Sequence, residues 1–144
     1  MILNDMDFTS FYNNMTYIFS KHFTTEEINT LMEYVEILSD ANFRCYRANM
    51  VVIAERKKEL LGKSSDDKLI ADMEWVARSV GEYRVSSKAR INLYISRVKS
   101  VSPITEAETW ISDDIVYSIG EMIDRLSIET IKRQDFFKNK RTHF

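Results

Sequence analysis

An unbroken helical pattern covers residues 25–61 of this chain. Apolar side chains recur there at alternating steps of three and four, and no glycine or proline interrupts them before Gly62. This spacing puts the apolar side chains on one face of an α-helix, and a following glycine suits the left-handed conformation that ends a helix. Thr24 and Glu27 have the spacing of a capping box, which marks a first turn. We predict one long helix over residues 25–61, or two joined at a bend near residues 40–42.

Similar spacing predicts three further helices. Residues 8–20 carry aromatic and apolar side chains at helical intervals. Hydroxyl and acidic residues at 64–67 mark the start of a second long helix, which Pro103 should end by about residue 100. Residues 112–114 combine a serine with two aspartates and predict the start of a last helix, preceded by a short helix around Trp110.

Glycine and proline are rare throughout. The chain has 3 glycines and 1 proline in 144 residues, whereas average proteins contain roughly 12% of the two together. Parallel α/β enzymes and β-sandwiches need many special turns, so both classes are excluded. We predict an all-α fold, an elongated helical bundle with two long antiparallel helices plus a C-terminal helix. Residues 1–144 should form a single domain whose basic tail, about residues 138–144, frays.

Few side chains can carry catalytic chemistry. Cys45 is the one cysteine, so an internal disulfide and a multi-cysteine zinc site are excluded. Neither His22 nor His143 has an acid or nucleophile at a recognisable catalytic spacing. No segment approaches the roughly 18 uncharged apolar residues of a membrane span, and the first residues are acidic where a signal peptide is basic. We predict a cytoplasmic protein that does not contact a membrane.

Charge is sorted along the chain, although the net charge is only −2. Residues 1–40 and 104–129 are acidic, whereas residues 41–63, 76–100 and 130–144 are basic. Acidic helices beside basic helices fix helix order within a bundle or across a dimer, which we prefer as the explanation. The alternative is nucleic-acid binding through the basic helix, although its cations are spread around the helix. Such binding would weaken steeply with salt.

The most distinctive segment is Ser-Ile-Gly-Glu-Met-Ile-Asp-Arg-Leu-Ser-Ile-Glu-Thr-Ile-Lys at residues 118–132. It resembles a short helical motif of uncharacterised bacterial and phage families of the DUF4254 and DUF6165 type. The resemblance implies a helix and brings no activity with it. The matching residues are Gly120, Glu121, Ile123, Asp124, Arg125, Leu126, Ser127, Ile128, Ile131 and Lys132.

The charges of this segment stand among isoleucines and leucines, which predicts a partly buried polar network. We prefer a network that fixes helix packing, with Gly120 small enough to let another helix approach. If the segment holds a site, Glu121 and Asp124 are the candidate catalytic groups, handling a metal or a proton. Arg125 and Lys132 are then the candidate anion ligands.

Two carboxylate pairs at i, i+3 spacing are a further candidate site. Glu33 with Glu36, and Glu121 with Asp124, each lie on one helix face. Four converging carboxylates could hold Mg²⁺, so all four are candidate metal ligands. The pairs resemble the Glu-x-x-Glu and Glu-x-x-Asp signature of the MazG-like all-α nucleoside triphosphate pyrophosphatases. That resemblance implies a Mg²⁺-dependent hydrolase of a nucleoside triphosphate or nucleotide sugar, although 85 residues separate the two pairs here.

Together these patterns favour a non-enzymatic interaction or assembly module, with no cofactor unless Mg²⁺ serves the hydrolase alternative. Asn42 and Asn49 are polar residues on an apolar stripe, where such residues set register or oligomeric state. Long helices with polar stripe positions predict a homodimer, and a protein partner is compatible with the same pattern. A hydrolase requires the four carboxylates to converge, whereas an interaction module predicts that Glu121 pairs with Arg125 or Lys132.

Overall fold

The chain folds as an all-α bundle, which confirms the predicted fold class. A computed structural model describes residues 6–99, 109–112 and 115–142. Two long antiparallel helices, α2 and α3, form the frame, and the shorter α1 and α4 pack on it. In the described residues the helices are α1 (Thr9–Ser20), α2 (Thr25–Leu60), α3 (Asp67–Lys99) and α4 (Ile119–Thr142).

The ends of α2 lie where the sequence predicts them. The Thr24 hydroxyl accepts the backbone N–H of Glu27 at 3.2 Å, and the Glu27 carboxylate accepts the N–H of Thr24 at 2.8 Å. Past the last turn, Gly62 has a φ of +71°, in the left-handed region. Between these signals α2 is one continuous helix of 36 residues. At 1.5 Å per residue its length is about 54 Å.

Helix α3 starts and ends near its predicted limits. The Asp66 carboxylate accepts the N–H of Leu69 at 3.0 Å, as a helix N-cap does. The helix ends at Lys99, and Pro103 lies outside the described residues. The sequence therefore predicts both long helices to within one or two residues.

Two predictions between α3 and α4 are wrong. The residues around Trp110 form strand β1 (Thr109–Ser112), which pairs antiparallel with β2 (Ile115–Ser118), and not a short helix. Helix α4 begins at Ile119 and not at residues 112–114, of which 113 and 114 lie outside the described residues. The β-branched residues of β2 favour a strand. The cap that starts α4 is then Ser118, whose hydroxyl accepts the N–H of Glu121 at 3.1 Å.

The other end of α4 lies at Thr142. The fraying that the sequence predicts for the basic tail from about residue 138 stays a prediction. Residues 143–144 lie outside the described residues.

The core lies where α1 and α4 pack across one half of the α2–α3 pair. Its buried side chains come from all four helices: Phe11, Met15, Phe19, Leu31, Val35, Leu38, Ile91, Ile95 and Ile123. The other half of the pair, toward Gly62, buries little more than Ala48, Glu55 and Ile70 among the described side chains. The long helices therefore extend beyond the core as a two-helix hairpin. No helix in the described residues has a segment long and apolar enough to cross a membrane.

Candidate functional site

Asp124 lies at the centre of a polar network that joins α2, α3 and α4. Its side chain is fully buried. Arg84 of α3 donates two hydrogen bonds to it, from Nε to Oδ1 at 2.9 Å and from Nη2 to Oδ2 at 2.7 Å. Asn42 of α2 donates a third, from Nδ2 to Oδ1 at 2.8 Å. Because a two-pronged arginine–carboxylate contact is strong and directional, it fixes how the three helices sit together.

Two further side chains of α4 extend this network. The Asn42 amide also lies 2.6 Å from the hydroxyl of Ser127, and that hydroxyl donates to the backbone carbonyl of Asp124 at 2.8 Å. Lys88 of α3 bonds the carboxylate of Glu121 at 2.8 Å and lies 3.9 Å from Asp124 Oδ2. The partly buried polar network that the sequence predicts for residues 118–132 is therefore present.

The protonation of the central pair follows from these contacts. Burial by itself raises the pKa of Asp124, but the hydrogen bonds from Arg84 and Asn42, with the charges of Arg84 and Lys88, outweigh it and hold the pKa below its usual value. The hydrogen bond to Asp124 in turn raises the pKa of Arg84. Asp124 is therefore an ionised carboxylate at neutral pH, with hydrogen-bond donors on both oxygens. A group in that state cannot serve as a general acid there.

A second polar contact between α2 and α4 lies further along the same helices. The Tyr46 hydroxyl donates to the buried carboxylate of Asp135 at 2.5 Å. Burial, followed by this hydrogen bond, raises the pKa of Tyr46 to about 12. Tyr46 follows Asn42 by one helical turn, so the two form a row that faces α4. The row is typical of side chains that set helix register.

The four predicted metal ligands are not assembled. Glu121 and Asp124 are bound by cations of α3, whereas Glu33 and Glu36 are exposed on α2. Glu33 precedes Asn42 by nine residues, which places it about 180° around the helix from the network. In the part of the chain that the structure describes, no three His, Cys, Asp or Glu side chains are placed to hold a metal ion. Magnesium-dependent hydrolysis stays a prediction, and no metal-binding group among the described residues supports it.

The two predicted anion ligands lie at separate places on α4. Arg125 Nε lies 3.8 Å from Glu121 Oε1, one turn away. Lys132 is exposed beside Phe136 and Phe137, about 10 Å along the helix axis from Arg125. Glu121 therefore contacts Arg125, one of its two predicted partners, while its shorter contact comes from α3.

Gly120 is a point of close approach between α3 and α4. A Cβ atom at this position would lie 2.6 Å from the backbone carbonyl oxygen of Lys88. The side chain of Asn92 holds the same contact, because its Oδ1 accepts the N–H of Gly120 at 2.8 Å and its Nδ2 donates to Ser118 at 3.0 Å. The prediction that a small residue here admits another helix is confirmed.

Replacing Gly120 with alanine is expected to lower the free energy of unfolding by about 1–3 kcal/mol, the usual cost of overpacking. The clashing atom belongs to the backbone of α3, so the helices must move apart. Gly81→Ala is the matched control, because a Cβ atom there meets nothing within 4 Å. Alanine should stabilise that helical site by up to about 1 kcal/mol. Urea unfolding followed by circular dichroism measures both changes, and equal effects of the two variants would contradict the close contact.

The sequence did not identify Arg84, Lys88 and Asn92 as members of the network. The two cations belong to the basic segment 76–100, whose alternative role was to bind phosphates. Here they bind acids of α4, as expected if acidic helices lie beside basic ones. The opposite charges of residues 76–100 and 104–129 were the available signal. They indicated that the segments pair but not which side chains meet.

The face of α2–α3 that is turned away from α4 carries a long groove. It consists of two adjoining hollows, which share Asp40 and Arg44 on one rim. The hollow nearer the core is lined by Ile37, Asp40, Ala41, Arg44, Val80, Tyr83, Ser86, Ser87 and Arg90. The hollow further out is lined by Asp40, Phe43, Arg44, Arg47, Ala48, Val51, Met73 and Val76. An apolar floor thus lies between charged rims.

Comparison with models of protein families, with curated proteins and with solved structures finds no match for this chain. The resemblances of residues 118–132 and of the carboxylate pairs therefore stay predictions. The function has to be argued from the network and the groove.

Proposed function

We propose that this chain is a protein-interaction module that binds a helical partner along the α2–α3 groove. The observation that carries the proposal is one-sided packing of the long helices. Helices α1 and α4 cover the face that carries Asn42, whereas the opposite face leaves Ile37 43% and Tyr83 61% exposed. Single exposed apolar residues are common on protein surfaces, but an apolar row within a groove is typical of an interaction site.

The groove has the chemistry that a helix-binding surface needs. Its floor combines the aliphatic Ile37, Ala41 and Val80 with the small Ser87. Tyr83 lies at one edge, and the rims carry Asp40, Arg44 and Arg90. An apolar centre with a polar rim is the usual anatomy of a protein interface. A groove between two parallel ridges accepts the apolar face of an amphipathic helix, whose side chains repeat at i, i+3 and i+4.

The polar network supports this role more than it supports hydrolysis. Asp124 and Glu121, the acids best placed for chemistry, are bound to Arg84 and Lys88. Such contacts orient α4 on the long helices and occupy the Glu121–Asp124 pair, so that it is not open to a metal. The network then acts as the rigid support for the opposite face, since a docking surface on a fixed scaffold loses less entropy on binding.

The proposal is tested by photo-crosslinking of the full chain in the cells that express it. A photoreactive phenylalanine derivative replaces Tyr83 on the groove, or Val85 as the matched control. Val85 is as exposed as Tyr83, but two residues further it lies about 200° around α3. We expect a discrete crosslinked species from position 83 only.

Mass spectrometry of that species identifies whatever occupies the groove. Absence of a crosslink from position 83, or equal crosslinks from both positions, would overturn the proposed function. Loss of the crosslink when Ile37 is replaced by glutamate would place the contact within the groove, because a charge on its apolar floor opposes binding.

A further inference from the structure

We propose that the partner in this groove is a second copy of the chain, bound around a twofold axis that crosses α3 at Ser86. This inference rests on the proposed function and names its partner. A twofold interface is self-complementary: a residue on the axis contacts its own copy, and every other contact between two residues occurs twice, once in each direction. Residues that face each other across the axis must therefore be compatible in charge and size. The charges and the small residues of the groove both meet that requirement.

The charges along α3 are complementary to themselves about Ser86. Glu82, Ser86 and Arg90 follow at intervals of four residues, and therefore lie in one row on the helix surface. Both charged members are exposed, and Ser86 and Arg90 line the groove. If two copies of α3 cross antiparallel with Ser86 on the axis, Glu82 of each copy lies opposite Arg90 of the other. Two ion pairs form with no like charges opposed.

The charges along α2 repeat this arrangement. Asp40 and Arg44 lie one turn apart on the rim and pair with each other at 3.0 Å, with 56% and 62% of their side chains exposed. A twofold axis that passes midway between them brings Asp40 of each copy to Arg44 of the other. The two rims thus independently give a self-complementary pattern.

A single axis can serve both helices because the two midpoints lie at the same height. Asp124 contacts Asn42 of α2 and Arg84 of α3 together, so these residues are level with each other across the hairpin. The midpoint of the Asp40–Arg44 pair is residue 42, and Ser86 is two residues, about 3 Å, beyond Arg84. The centres of the two charge patterns, one on α2 and one on α3, therefore lie at nearly the same height along the hairpin, as one shared twofold axis requires.

Small residues occupy the centre of the proposed contact. Ala41 and Ser87 are buried in the floor of the groove, and Ser86 stands at its edge. Their small size lets the two hairpins approach closely. Ile37 and Tyr83 lie to either side of this centre and become buried against the second copy. The expected dimer is a four-helix contact made by α2 and α3 of each chain.

A cysteine on the axis tests this geometry directly. In a Cys45→Ala background, Ser86→Cys should form a disulfide dimer of twice the 17.0 kDa chain mass under mild oxidation. Two cysteines can join only when their Cα atoms lie within about 7 Å, so only a position near the axis bonds to its own copy. Ser64→Cys is the control: it is also exposed, but it lies about 30 Å along the hairpin from the axis. It should form no disulfide-linked dimer.

Charge reversal tests the same axis without a covalent bond. Glu82→Arg and Arg90→Glu should each raise the dimer dissociation constant at least about tenfold, because each places two like charges opposite each other. The double variant restores both pairs and should return within about threefold of the unaltered chain. Sedimentation equilibrium of the unaltered chain and of the three variants gives the four dissociation constants.

The outcomes separate this inference from the function on which it rests. Equal disulfide formation at positions 64 and 86, or a double variant no tighter than the single ones, would overturn the twofold geometry. A chain that stays monomeric while the position 83 crosslink contains another protein overturns the second copy and leaves the interaction module standing. Absence of any position 83 crosslink overturns both.

Discussion

Replacing Arg84 with leucine is expected to lower the free energy of unfolding by about 3–5 kcal/mol, the usual cost of removing one partner from a buried ion pair. The loss is large because Asp124 is fully buried and receives two hydrogen bonds from this one side chain. Asn42 still donates one hydrogen bond, and the nearest remaining cation, Lys88, is 3.9 Å away. The Asp124 carboxylate thus stays buried, but it has lost most of the hydrogen bonds and positive charge that offset its desolvation.

The reverse deletion should cost less. The Arg84 side chain is 35% exposed, so in an Asp124→Leu variant its charge can turn toward solvent. The double variant Arg84→Leu/Asp124→Leu should be more stable than Arg84→Leu alone, because apolar replacement of a whole buried pair is often close to neutral. Urea unfolding of the three variants gives the coupling free energy.

An exposed pair of the same chemistry provides the control. Arg56 bonds Glu74 at 2.7 Å, with the two side chains 56% and 44% exposed. Arg56→Leu should change the free energy of unfolding by no more than about 1 kcal/mol, as exposed ion pairs generally do. If Arg84→Leu proved as mild as Arg56→Leu, the network would not fix the position of α4. The case for a rigid docking scaffold would then fail.

Replacing Leu38 with alanine should lower the free energy of unfolding by about 2–5 kcal/mol, the usual range for a buried leucine. Leu38 is fully buried in a cluster supplied by all four helices. Its truncation leaves a cavity that long, packed helices can close only in part. Because α1 is docked mainly through this cluster, the variant should also lose the hydrogen-exchange protection of α1 before that of α3.

Leu60→Ala is the matched control for the cavity. Leu60 belongs to the same helix and is 87% exposed, so it should change the free energy of unfolding by no more than about 0.5 kcal/mol. Urea midpoints compared at equal m-values measure the difference. A cost at Leu38 no greater than at Leu60 would mean that the four-helix core is not what holds α1 and α4 in place.

These two variants separate two roles within one fold. The apolar cluster supplies most of the free energy that holds the helices together, because burial of apolar surface is the main favourable contribution to folding. The network contributes directionality, since Arg84 and Asn42 can both donate hydrogen bonds to Asp124 only when α4 lies in one register. For an interaction module this second role matters most, because the groove on the other face depends on how α2 and α3 are held.

The sequence by itself determined the helices that local signals define. The capping box at Thr24, the left-handed Gly62 and the uninterrupted apolar spacing act within a few residues of each other. Their effect on the backbone can therefore be inferred without knowing the rest of the fold. The sorting of charge between residues 76–100 and 104–129 also indicated which segments pair. It did so because opposite charges attract whatever the detailed geometry.

Only the tertiary structure decided the composition of the network and the limits of α4. Asp124 meets Arg84 across 40 residues and Asn42 across 82, and no local spacing records such a contact. Helix α4 begins at Ile119, later than predicted, because Ile115–Ser118 pairs with β1. The helix-start pattern at residues 112–114 is local and carries no information about that pairing. Contacts between distant segments depend on how whole helices pack, and that packing is set by the sum of all their surfaces.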